Sequence, residues 1–146
     1  SVYGSTSVAA IGVAAHECGH AVQHQVGYAP LSIRSALVPV ANFGSSLSWP
    51  IFVAGLIFSI GPLLDIGIIL FLAAVLFQVV TLPVEFNASA RAIRLLDSCG
   101  ILGQQEIGGT KKVLTAAALT YVASLAASIL QLLRLLILAG GRRRND

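Results

Sequence analysis

Apolar and polar positions divide the chain into four stretches. Over residues 5–26, small apolar residues follow Ser5, Thr6 and Ser7, three candidate N-caps, and Gly27 supplies a C-terminal stop. That pattern predicts a helix. Its second half carries His16, Glu17, His20, Gln23 and His24, too polar a set to meet lipid all round. Residues 35–64 contain no charge and exceed the about 20 apolar residues that cross a bilayer. Within them Pro39, Pro50, Asn42, Ser45, Ser46 and Ser48 predict a bent or late-starting span, from about Leu47 with Trp49 near an interface. Gly61-Pro62 reads as a turn.

Residues 66–84 are again uncharged and predict a transmembrane helix with its most apolar part at 68–80. Pro83 is expected to end it, with a helix resuming over 85–98 and closing at Gly100. Residues 101–110 read as a glycine-rich loop. The fourth stretch, 113–138, is long enough to span. Thr120, Ser124, Ser128 and Gln131 recur in it at helical spacing, with Arg134 three residues on, and that stripe is expected to face other helices rather than lipid. The expected fold is all-α: one polytopic membrane domain over residues 1–146, with spans near 38–60, 66–83 and 113–138.

Composition supports that choice. Hydrophobic residues make up 56% and charged residues 10%, against roughly 25% charged in a soluble domain. The net charge of +3 gathers in Arg142, Arg143 and Arg144 and in Arg91, Arg94, Lys111 and Lys112. Short basic flanks beside apolar runs set membrane topology. No basic face is interleaved with stacking aromatics, so nucleic acid is not an expected partner. Cys18 and Cys99 do not make a disulfide framework, which predicts a reducing compartment. The chain contains no methionine, so it is expected to be a fragment or a processed product.

His16-Glu17-Cys18-Gly19-His20 is an H-E-x-x-H motif. On a helix, residues four apart share one face, about 6 Å apart along the axis. Two imidazoles so placed can converge on one zinc ion at roughly 2.0–2.1 Å. Glu17, beside the first ligand, can take the proton of an activated water attacking a peptide carbonyl and return it to the leaving amine. The chain has only three histidines and six carboxylates, so two correctly spaced histidines around one of those carboxylates are unlike a chance match. Gly19 inside the helix costs about 1 kcal/mol relative to Ala, which a close approach by another element, or simple packing, would explain.

A catalytic zinc takes a third protein ligand. His24 lies one turn beyond His20, where three donors along a straight helix cannot converge, so it is expected behind the ligands or in solvent. Cys18 points away from the histidine face. Asp97 and Glu106 sit in a polar stretch and Asp146 in the tail, which leaves Asp65 and Glu85. One crossing separates the motif from Asp65, and two return the chain to the motif's side at Glu85. Glu85 is therefore the expected third ligand, and its place at the start of a resumed helix would favour an ionised carboxylate.

Three segments resemble the YugP-type bacterial membrane proteins, described as neutral zinc metallopeptidases. They are Val13-Ala14-Ala15-His16-Glu17-Cys18-Gly19-His20-Ala21, Ala29-Pro30 through Arg34-Ser35-Ala36-Leu37-Val38-Pro39, and Leu82-Pro83-Val84-Glu85-Phe86-Asn87-Ala88-Ser89. The likeness extends through Ala116-Ala117-Ala118-Leu119-Thr120-Tyr121-Val122. It implies a zinc-dependent peptidase whose full-length members carry an upstream transmembrane segment and a soluble stretch. More distantly, the chain is similar to the HtpX/Ste24 membrane proteases, whose second motif is E-x-x-A-D. Glu85 and Ala88 match that motif, and Ser89 stands where the Asp orients a ligand there, so the resemblance implies that Ser89 or Asn87 takes over that task.

The expected function is hydrolysis of proteins or peptides, membrane proteins among them, by a zinc endopeptidase in the lipid bilayer. A site-2-type intramembrane protease would use Asp65, but Leu64-Asp65-Ile66-Gly67 carries an inserted Ile66 relative to L-D-G. A zinc transporter motif would have Pro where Gly19 stands, and a non-catalytic scaffold would keep the motif without turnover. Tyr121 and His24 are the candidates for stabilising an oxyanion. Arg34, Arg91, Arg94, Lys111 and Lys112 lie on the motif's side, and the turn between the first two spans has no Lys or Arg. The expected location is therefore the cell membrane, with the site facing the cytoplasm. The arginine tail opposes that orientation if the last stretch crosses.

Overall fold

A computed structural model describes residues 6–145, and their side chains as far as residue 141. Ser5 and Asp146 lie outside the described residues, as do the side chains of Arg142, Arg143 and Arg144. The described residues form four helices and no strand: α1 (Val8–Gln25), α2 (Ala29–Ile57), α3 (Gly61–Ser98) and α4 (Gln104–Asn145). The all-α class expected from the sequence is what the chain adopts.

The ends of α1 follow from its local sequence. The Ser7 hydroxyl accepts a bond from the Ala10 amide at 3.1 Å, satisfying one of the open donors of the first turn. At the other end Gly27 takes φ 69°, and the Tyr28 amide reaches back to the Gln23 carbonyl at 2.9 Å. This left-handed closure suits glycine. Pro30 and Pro62 fall in the first turns of α2 and α3, where the missing amide has no helical partner to lose.

Several predicted breaks are absent. Pro83 lies inside α3, which runs on to Ser98, so the third and resumed helices are one element. Likewise α2 starts at Ala29 and passes through Pro39 and Pro50 instead of beginning near Leu47. In an apolar surrounding the remaining backbone bonds have no competing water, which favours keeping the helix across a proline. The expected loop over 101–110 shortens to residues 101–103, because α4 begins at Gln104.

The residues group into two compact units, Ser1–Ile33 with Val80–Val122, and Arg34–Val79 with Ala123–Asp146. In the first, Ala15, Ala92, Leu96, Leu102, Ile107 and Leu114 form the core, flanked by Ile11 and Ile93. Among the buried residues of α1, Gly12, Ala15, Gly19 and Gln23 recur at the spacing of one helix face. A side chain at Gly12 would meet the Thr110 methyl at 2.9 Å. Small residues therefore bring α1 close to its neighbours.

The second unit is built on Phe52, Leu64, Leu135 and Ala139, with Leu56, Ile68 and Phe71 packed around them. Gly67 yields to the backbone of Phe52, and Gly44 to the carbonyl of Leu70. The turn between α2 and α3 places Ser59 at φ 55°, while the Ile60 amide bonds the Gly55 carbonyl at 3.0 Å. Within this chain the polar stripe of α4 is only partly covered. Thr120, Ser124 and Arg134 are exposed, Ser128 and Gln131 are half-buried, and the buried positions of the helix in this unit are Leu135 and Ala139.

Three helices, α2, α3 and α4 as far as Gly141, are long and apolar enough to cross a membrane. Only 28%, 17% and 11% of their most apolar windows are buried within the protein. The remaining apolar surface faces outward, with Phe43, Ile69, Leu130 and Ile137 among the most exposed side chains. Water disfavours so much exposed hydrocarbon, and lipid does not.

Candidate metal centre

The first unit brings His16, His20 and Glu85 together. Their ligand atoms all lie within 4.8 Å of one another. His16 Nε2 is 2.8 Å from Glu85 Oε2 and 3.1 Å from His20 Nε2, and His20 Nε2 is 3.4 Å from the same carboxylate oxygen. Glu85 is buried on α3, and both imidazoles are partly buried on α1. A carboxylate at this depth needs a cation or donors around it.

The donor set fits zinc. Two imidazole nitrogens and one carboxylate oxygen are the ligands of a catalytic zinc site, and bonds of about 2.0–2.1 Å imply tetrahedral edges of roughly 3.3 Å. The three separations of 2.8, 3.1 and 3.4 Å bracket that edge. The two rings meet edge to face, with centroids 4.7 Å apart and planes at 89°, so their lone pairs converge without the rings stacking.

Each imidazole is held from behind. His16 Nδ1 lies 2.9 Å from Ser89 Oγ, the residue at the Asp position of the E-x-x-A-D pattern. His20 Nδ1 lies 2.9 Å from Gln23 Oε1. Asn87 is not among the hydrogen-bond partners of either imidazole. Its side-chain oxygen meets Gln23 Nε2 at 3.0 Å and accepts from Arg91 Nε at 2.7 Å.

The other candidates lie elsewhere. Glu17 and Cys18 are exposed on α1, as is His24, which stays outside the cluster. Asp65 is exposed near the start of α3 in the second unit, and Tyr121 is exposed on α4. Glu85 does not open a helix. It sits well inside α3, so the helix-end charge invoked for it is absent and the two imidazoles surround it instead. Gln23 was missed as a site residue. Its position three after His20 could have flagged it, since such residues are neighbours on a helix surface.

Fold and site together define a helical membrane protein with a His-His-Glu donor set built around a buried carboxylate. The chain belongs to the family described as "Putative neutral zinc metallopeptidase", which matches residues 1–140. It is 48% identical over 145 residues to the "Putative membrane protease YugP" of Bacillus subtilis (strain 168), an alignment covering 99% of this chain. The chain spans 64% of the length of that curated relative. No solved structure matches it.

Proposed function

We propose that the chain is the membrane-embedded catalytic part of a zinc-dependent endopeptidase of gluzincin type, cleaving proteins or peptides at the membrane surface. The observation that carries this reading is the convergence of His16 Nε2, His20 Nε2 and Glu85 Oε2 beside Glu17 of the same H-E-x-x-H motif. His16, His20 and Glu85 would hold the metal. Bound zinc supplies Lewis-acid polarisation, which makes water acidic enough to give up a proton near neutral pH.

The chain's own groups do the remaining work. Glu17 is exposed and adjacent to the first ligand, where its carboxylate can meet water without competing for the metal. It takes the proton of the attacking water at one carboxylate oxygen, and the protonated carboxyl then gives that proton to the leaving amine. Ser89 and Gln23 hold the two imidazoles at their Nδ1 atoms, so both Nε2 atoms stay aimed at Glu85.

The family and the membrane-protease relative support hydrolysis of peptide bonds, and the three apolar helices support a multi-pass cell-membrane location. The basic residues on the motif's side favour a cytoplasmic-facing site. The decisive experiment is Glu17→Gln in the full-length protein, with zinc content and peptide hydrolysis measured together. Zinc is expected to be retained and turnover to fall at least about a hundredfold, the usual lower bound for losing a general base. Near-normal turnover with zinc unchanged refutes the mechanism.

A further inference from the structure

Gln23 is polar and completely buried, yet its amide is fully engaged. Its Nε2 donates to the Val84 carbonyl at 2.8 Å and to Asn87 Oδ1 at 3.0 Å, and its Oε1 faces His20 Nδ1 at 2.9 Å. We infer that Gln23 is a positioning residue for the metal centre, fixing which nitrogen of His20 carries the proton and thereby leaving Nε2 bare toward His16 and Glu85.

The polarity of this chain of bonds is forced from its far end. Arg91 has only donors, so the Asn87 atom that meets Arg91 Nε at 2.7 Å is the oxygen. Facing that oxygen, Gln23 presents its NH2, and the Val84 carbonyl demands the same. The Gln23 oxygen then has only one direction left, toward His20. An amide oxygen accepts and cannot donate, so His20 Nδ1 carries the hydrogen and Nε2 carries the lone pair. A ligating imidazole needs that tautomer.

Arg91 is itself steadied from the other side, its guanidinium lying 5.8 Å from the centroid of the Tyr28 ring. The order Arg91, Asn87, Gln23, His20 thus carries a fixed donor–acceptor sense from the side of α3 to the ligand. Ser89, the partner of His16, has a hydroxyl that both donates and accepts. It holds His16 in place without dictating its tautomer, so the two ligands are governed by different devices.

The inference rests on the zinc reading for its consequence, and its test keeps the two apart. Histidine-selective nitrogen NMR on the detergent-solubilised full-length protein reads the His20 tautomer without metal, and chelator competition reads zinc affinity. Gln23→Met keeps the volume and removes both polar atoms. It is expected to lose the Nδ1–H signature of His20 in the metal-free protein and to weaken zinc binding about 10–100-fold, the usual cost of losing an orienting partner.

Asn87→Asp keeps the acceptor for Gln23 and Arg91, and should hold tautomer and affinity within about threefold of wild type. If Gln23→Met does not fold, Gln23→Leu, which also lacks both polar atoms, should move both readouts in the same direction. An unchanged His20 tautomer in a folded Gln23 variant overturns the inference, whether or not zinc is lost. Wild type that takes up no zinc but shows the Nδ1–H tautomer, lost in Gln23→Met, refutes the metal reading while upholding the role of Gln23.

Discussion

The carbonyl oxygen of Ala88 on α3 occupies the space where a side chain on Gly19 of α1 would begin. Gly19 lies between the two histidines of the motif, and Ala88 lies three residues after Glu85. The contact between two backbones therefore sets how closely the histidine helix meets the carboxylate helix. The internal glycine is explained by this approach.

Gly19→Ala tests the contact. Alanine should favour an isolated helix by about 1 kcal/mol, but forcing a methyl group against a backbone carbonyl typically costs about 1–3 kcal/mol. The variant is expected to be less stable in denaturant or thermal unfolding and to bind zinc more weakly, as α1 is pushed away from Glu85. A variant as stable and as zinc-tight as wild type would mean that the helices are not in backbone contact there.

Ser89 gives a second, chemically graded prediction. Ser89→Ala removes the partner of His16 Nδ1 and should weaken zinc binding about 10–100-fold. Ser89→Asp restores an acceptor at the same position and should hold affinity near wild type or above it. Zinc titration of the two variants side by side checks the ordering, and equal affinities for both would remove Ser89 from the site.

The carboxylates separate the two protease readings. Glu85→Gln exchanges an anionic oxygen for a neutral amide and should strip most of the zinc. Asp65→Asn should leave zinc stoichiometry intact. Metal analysis of the purified variants decides, and the reverse pattern would hand the third ligand to Asp65 and favour the site-2-type mechanism.

Orientation is accessible through the connection between α3 and α4. Cys18 and Cys99 are both exposed, so they are first replaced by serine, and a single cysteine is introduced at Gly103. With the site facing the cytoplasm, an impermeant thiol reagent should label this cysteine only after the cells are opened. Labelling on intact cells reverses the orientation.

Much of the centre was legible because its parts obey simple rules. Helical spacing put His16 and His20 on one face, and counting expected crossings pointed to Glu85, whose carboxylate does lie within 4.8 Å of both imidazoles. The same simplicity misled at Pro83, read as a stop because an interior proline costs about 3 kcal/mol in a water-exposed helix. Here α3 continues through it. Gln23 was legible only on its His20 side. Its two acceptors on α3, Val84 and Asn87, lie 61 and 64 residues away, and no local pattern encodes a partner that distant. The stripe on α4 shows the converse, since regular spacing of polar residues does not say what the stripe faces.

Glu85 stands 69 residues from His16, and the whole of α2 and nearly two thirds of α3 lie between them. A growing chain thus makes its histidines first and receives its carboxylate only after α2 and most of α3 have been synthesised. On the proposed reading, a half-made or half-inserted chain holds two imidazoles and a base but no complete grip on zinc. Hydrolytic power would then arrive together with correct membrane insertion, so that the protein is harmless for as long as it is unfinished.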